Sequence, residues 1–214
     1  MSALPHSASA PQPETPDTLP ITDPRAAPRY TMLIRSAKLC GPLGEFLCIV
    51  RDASDSGVSV RLFHPLPHEH ELALELQNGD LHAVALVWEE ADRAGFKFLT
   101  AVDIARIIEC PSQFAKRPVR INLYASARLE CAGMSAEVEL HDLSQQGARI
   151  TTTARFAIDQ RVRLTAKGLP EVNAKVRWRR GDTYGLVFED TFQFGDMARI
   201  VAGLQLGGIP QFGA

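Results

Sequence analysis

The feature that most constrains the fold is an internal duplication. Asp52, Ser54, Gly57, Trp88, Gly95 and Phe98 recur as Asp142, Ser144, Gly147, Trp178, Gly185 and Phe188 at an offset of 90, while Arg29 recurs as Arg120 at an offset of 91. One single-residue insertion or deletion between the arginine and the aspartate reconciles the two registers. A chain of 214 residues built this way gives each copy about ninety residues, enough for a small core of its own.

Within each copy the apolar residues recur with period two. Val58, Val60 and Leu62 alternate with Ser59 and Arg61, and Leu72, Leu74 and Leu76 alternate with Ala73 and Glu75. Side chains on an extended backbone point to opposite faces in turn, so these stretches are expected to be half-buried strands. LHAVALVW and AGFKFL continue the series, and QNGD at 77–80 carries the chemistry of an antiparallel turn. Ile104, Ile107 and Ile108 then fall at helical spacing before Pro111. The second copy repeats the plan through INLYASARL, SAEVEL, GARI, QRVRLTA and VNAKVRW, and closes on Met197, Ile200, Val201 and Leu204 along one helix face. Because closing a sheet on itself removes its exposed edges, each copy is expected to be a small antiparallel barrel followed by a helix. Residues 1–23 carry five prolines among small and polar residues and are expected to be a disordered tail. The units are drawn at 24–111 and 112–206, with a flexible end at 207–214.

A formal net charge of −2 argues against broad binding to nucleic acid, so an anionic ligand must be met by a local patch. The four cysteines show no CxxC spacing and no apolar signal segment precedes them, so they are read as reduced thiols of a cytoplasmic protein. No apolar run approaches the ~20 residues of a membrane-spanning helix, and no membrane insertion is expected. His64, His68 and His70 in HPLPHEH are read as a solvated connecting loop without metal, since the matching ARFAIDQ has no histidine. Asp52, Ser54 and His64 are the residue types of a hydrolase triad, but no nucleophile elbow accompanies them, and a non-enzymatic protein is expected. Trp88 and Trp178 are read as barrel interior, and Arg177, Arg179 and Arg180 as a solvated strand face.

The shared polar signature is RAAPR, then 22 residues, then DASDSG in the first copy, and KRPVR, then 21 residues, then DLSQQG in the second. An Asp and a Ser two apart on a strand share a face and offer an anionic acceptor beside a hydroxyl. The following glycine permits a positive φ or the close approach of a ligand. Guanidinium groups on a nearby loop fork onto phosphate oxygens and bond the O6 and N7 edge of guanine. A ligand combining guanine with phosphate uses every one of these features.

RxxxR followed by DxSxxG, a tryptophan strand and a glycine-aromatic strand resembles the PilZ family of bacterial cyclic di-GMP receptors. The resemblance covers about residues 25–108 and 116–204. It implies mainly β structure: two consecutive six-stranded antiparallel PilZ-like β-barrels, each with a C-terminal helix, in which the RxxxR loop and the DxSxxG strand clasp the dinucleotide. Carried over by position, the ligand-binding residues of the first domain are Arg25, Arg29, Asp52, Ser54 and Gly57. Those of the second are Lys116, Arg117, Arg120, Asp142, Ser144 and Gly147, with lysine replacing the first arginine and so losing its planar fork. The function implied is a cyclic di-GMP-binding receptor that needs no cofactor and signals through loop ordering and altered docking of its domains or of a protein partner. The alternative is a ligand-independent adaptor that binds a protein in motility, envelope or polysaccharide control.

Overall fold

The computed structural model describes residues 30–67, 71–109, 118–208 and 212. The expected tail at 1–23 lies outside the described residues, as do Arg25, Arg29, His68, His70, Cys110, Lys116 and Arg117.

The first unit runs β1 (Tyr30–Gly41), β2 (Gly44–Ser54), β3 (Gly57–Arg61), β4 (Glu71–Glu75), β5 (Leu81–Glu90), β6 (Arg93–Phe98) and α1 (Ile104–Glu109). The second repeats it with β7 (Arg120–Cys131), β8 (Met134–Ser144), β9 (Gly147–Thr151), β10 (Arg161–Ala166), β11 (Leu169–Arg180), β12 (Thr183–Phe188) and α2 (Phe194–Leu206). Each sheet closes into an antiparallel barrel, ordered β1-β2-β3-β6-β5-β4 in one and β7-β8-β9-β12-β11-β10 in the other. The chain is therefore mainly β, two six-stranded barrels of one topology.

The one-residue difference between the copies sits in a β-bulge. Thr31 pairs with Asp52 and Arg35 with Val50, leaving residues 32–34 opposite a single residue of β2. In β7, Asn122 pairs with Asp142 and Ala125 with Leu140, so only residues 123 and 124 bulge. Before the bulge the copies are offset by 91 and after it by 90, because a bulge takes up an extra residue without changing the ladder on either side.

The period-two residues fill the barrels. Leu39, Val50, Val60, Leu74 and Val84 centre the first core, and Ile121, Leu129, Leu140, Ile150 and Val176 the second. Ile107 of α1 and Met197, Ala198 and Val201 of α2 cover them, as helical spacing predicts. Gly207 ends α2 in the left-handed region at φ 74°, where glycine has no Cβ to obstruct the turn. Phe212, in the stretch expected to be flexible, is half-buried against the first core.

The barrels dock through β2, β7 and α2. Leu47 of β2 is 1% exposed and packs into the second core, and Phe63 meets Phe194 edge to face at 5.5 Å. The Gln205 amide takes the place of a neighbouring strand, donating to Glu45 O at 2.8 Å and accepting from Glu45 N at 2.9 Å. The Glu45 carboxylate accepts from Asn122 N at 2.8 Å, Asn122 Nδ2 at 2.9 Å and Lys38 Nζ at 2.9 Å. Burial works against the charge on Lys38, but hydrogen bonds and attraction from Glu45 and Glu75 outweigh it and raise its pKa. Lys38 also donates to Arg120 O at 3.3 Å, tying the start of β7 to the first barrel.

His64 corrects the expectation of a solvated loop. Its ring is 1% exposed, meets Phe46 edge to face at 5.4 Å and holds Nδ1 2.8 Å from Pro65 O. Burial lowers its pKa, so the neutral form is favoured.

Candidate functional site

The DxSxxG motif is a two-residue hairpin in both barrels. Ser54 closes it against Gly57, and Ser144 against Gly147. The Ser144 hydroxyl donates to Gly147 O at 3.1 Å, and Ser54 to Gly57 O at 3.4 Å, with both serines buried. A Cβ on Gly57 would collide with the Phe96 carbonyl, and one on Gly147 with that of Leu186. Neither glycine has a positive φ. In this structure the serine locks the turn and the glycine lets two strands approach.

The aspartate of each motif sits beside a bulge. Arg51 and His141 are the extra residues in β2 and β8, so Asp52 pairs with Ser59 and Asp142 with Arg149. In the second barrel Arg120 Nη1 donates to Asp142 Oδ1 at 2.6 Å, so the two halves of the sequence signature meet. Arg149 Nε lies 2.6 Å from Oδ2, close enough for an ion pair but not aligned as a hydrogen bond. The carboxylate is 3% exposed, while the arginine side chains are 53% and 43% exposed. One buried anion therefore orients two guanidinium groups whose remaining donors face solvent. Arg149 was not singled out from sequence. Its signal was the hairpin register, because closing Ser144 on Gly147 places position 149 across from position 142.

The first barrel builds a different site on the same frame. Asp52 Oδ2 accepts from Ser59 Oγ at 2.9 Å, with no arginine at the position of Arg149. Beside it opens a cleft of about 280 Å³ lined by Asp52, Ser59, Val87, Trp88 and Lys97.

Trp88 and Trp178 correct the interior reading. They are 44% and 42% exposed, because bulges between Leu86 and Trp88 and between Val176 and Trp178 break the alternation that would have turned them inward. Each indole lies over the glycine of its paired strand, Gly95 or Gly185, where any Cβ would collide with the ring. Tyr124 is likewise outward, at 85% exposure.

Burial pushes the half-buried Cys40 thiol up to about 11 and raises that of Cys48, in the first core, further, so both favour the protonated thiol. Among the described residues no cluster of His, Cys, Asp and Glu can hold a metal ion, and no helix is long and apolar enough to cross a membrane.

Residues 115–205, the second barrel with its helix, match the family model of the PilZ domain. The second barrel is a PilZ domain. The first barrel shares with it the strand order, the tryptophan bulge and the DxSxxG hairpin. No curated protein sequence matches this chain. Among solved structures it is similar to the Borreliella burgdorferi PlzA protein in complex with c-di-GMP, at 10% identity over 80% of this chain and 88% of that one, with a TM-score of 0.34. It is also similar to the Bacillus subtilis inhibitor of motility MotI/DgrA, at 10% identity over 83% and 96% with a TM-score of 0.35. A third is Escherichia coli YcgR in complex with c-di-GMP, at 13% identity over 81% and 83% with a TM-score of 0.31.

Proposed function

We propose that this PilZ-domain protein is a receptor for cyclic di-GMP, and that its second barrel holds the principal site. The observation that carries this reading is the convergence of Arg120 and Arg149 on the buried Asp142 carboxylate. A guanidinium fixed at one edge keeps its other donors pre-organised for phosphate oxygens or for the O6 and N7 edge of guanine. Here Asp142 orients the arginines, while Lys116 and Arg117 add positive charge from the preceding segment. In the first barrel Asp52 has Ser59 as its partner, which leaves carboxylate capacity to accept from guanine N1 and N2, with Arg25 and Arg29 supplying the phosphate contacts.

The site also offers a route for the signal. Arg120 presents its side chain to Asp142 and its carbonyl to Lys38 of the first barrel, and Asn122 two residues on is held by Glu45. A ligand that engages the free donors of Arg120 acts on a strand end pinned across the inter-barrel contact. Ordering of the segment before Arg120 and a change in barrel docking then follow from one event.

Calorimetric titration with cyclic di-GMP tests the reading. Wild type is expected to give heat, Arg120→Ala to lose the second-barrel site, and Arg29→Ala to lose any first-barrel site. A wild-type protein silent at tens of micromolar ligand defeats the proposal and leaves the adaptor reading.

A further inference from the structure

In the second barrel the motif aspartate has no edge left for a base. Asp142 is buried, with Arg120 on one carboxylate oxygen and Arg149 on the other. Its counterpart Asp52 keeps acceptor capacity for the N1 and N2 hydrogens of guanine, because its partner is Ser59. A guanine held at Arg120 and Arg149 therefore needs its acceptor from another residue.

The residues beside Asp142 supply one. Asn122 pairs with Asp142 and Ala125 with Leu140, which sets Tyr124, in the bulge of β7, across from His141, the extra residue of β8. The outward Tyr124 ring stands perpendicular to the His141 ring, with 5.4 Å between centroids. By the spacing of residues along and between strands, the Tyr124 Cα lies roughly 6 to 8 Å from that of Asp142. Glu139, two residues before His141, is 75% exposed, with Oε2 3.9 Å from His141 Nε2. It lines a cleft of about 450 Å³ together with the hydroxyl residues Ser126, Thr151 and Thr153. The other carboxylates of this cleft, Glu137 and Asp182, are paired with Arg128 at 2.8 Å and with Arg155 at 3.0 Å. Among the described residues Glu139 has no lysine or arginine partner.

We infer that Tyr124 and Glu139 form a base-reading subsite for guanine beside the arginine pair. Tyr124 offers its ring for stacking, Glu139 accepts from guanine N1 and N2, and Arg120 and Arg149 take the N7 and O6 edge or a phosphate. The subsite rests on the reading of the second barrel as a cyclic di-GMP site. Glu139 and Asp142 stand three residues apart on a bulged strand, about 7 to 10 Å, a gap that a purine can bridge with one edge toward each. Adenine fits poorly, because its N1 carries no hydrogen and would set a lone pair against the carboxylate. The first barrel has neither group: Leu33 and Ile34 stand where the second has Tyr124, and Ile49 where it has Glu139. Each barrel thus keeps one carboxylate for a base, Asp52 in the first and Glu139 in the second, where the motif aspartate is engaged by arginines.

The test is calorimetric titration of the full chain with cyclic di-GMP and with cyclic di-AMP, in an Arg29→Ala parent so that the heat reports the second barrel. The parent is expected to prefer cyclic di-GMP by about tenfold or more, as a site built to bond a polar edge rejects the analogue that lacks it. Tyr124→Ala is expected to weaken cyclic di-GMP by about tenfold or more, and Tyr124→Phe, which keeps the ring, to bind like the parent. Glu139→Gln is expected to weaken cyclic di-GMP and to cut the preference by about tenfold, since an amide serves adenine as well as guanine. A parent that binds while Tyr124→Ala or Glu139→Gln leaves its affinity and preference unchanged overturns the subsite and leaves the second-barrel site standing. An equal loss for both nucleotides in Glu139→Gln also overturns it, since a merely structural role would lower both alike. A parent silent toward cyclic di-GMP, beside a wild type that gives heat, defeats the second-barrel reading and the subsite with it.

Discussion

His64 shows how a single residue can be misread from its neighbours and what its true position entails. HPLPHEH looks like a polar loop, yet the imidazole fills a space beside Phe46 and is held there neutral. Its pKa lies below the ordinary 6.5 because burial disfavours the charged ring, although the Pro65 carbonyl and Glu89 oppose this. Above pH 6.5 the ring is neutral in both folded and unfolded chains and has no effect on the balance. As pH falls through that value the unfolded chain takes up a proton that the folded one resists, so stability is lost at up to about 1.4 kcal/mol per pH unit. Urea titrations from pH 7.5 to 5 are expected to show a steeper acid-side loss for wild type than for His64→Leu; equal slopes would contradict the assignment. At this scale the sequence disclosed Asp52 and Asp142, because spacing from a basic cluster is a linear property. It did not disclose His64 or Arg149, since burial and a cross-strand partner depend on how the chain turns back on itself.

Among the elements, strands and helices were legible because each repeats its apolar residues with the period of its own geometry. Bulges were not, because one extra residue reverses the facing of everything beyond it and leaves no mark on composition. The tryptophan strands carry the consequence. Read as an unbroken alternation, Val84, Leu86 and Trp88 all face inward, but the bulge after Leu86 turns the indole out over Gly95. A glycine there is required by the ring above it, since its φ is not positive. Gly95→Ala and Gly185→Ala are therefore each expected to lift an indole off its strand, costing about 1 to 3 kcal/mol as an overpacked contact does. Denaturation followed by tryptophan emission checks both effects, because the chain has two tryptophans, one in each barrel. Loss of stability with a red-shifted native spectrum supports the platform, and an unchanged spectrum in either variant rejects it for that barrel.

At the scale of the whole molecule the duplication announced two barrels, but nothing in the sequence announced how they dock. Leu47 belongs to the alternation of β2 like any other apolar residue, and its destination in the second core appears only when α2 and β7 are placed against it. Contact of this kind is expected to make the two barrels one cooperative unit, since unfolding of either exposes surface that it buries on the other. The lone tryptophan of each barrel allows the coupling to be measured. In Trp178→Phe emission reports the first barrel, in Trp88→Phe the second, and the two urea transitions are expected to coincide. Leu47→Ala removes the fully buried aliphatic link while leaving the Phe63–Phe194 contact and the hydrogen bonds of Glu45, Asn122 and Gln205 in place. The cavity is expected to cost about 2 to 5 kcal/mol and to separate the transitions, because the polar contacts exchange readily with water and the half-buried Phe63 replaces only part of the lost apolar contact. Transitions that remain superimposed in Leu47→Ala, with a loss below about 1 kcal/mol, would show that the polar cluster and the Phe63–Phe194 contact suffice to join the barrels, since interactions that weak are typical of substitutions outside a packed core.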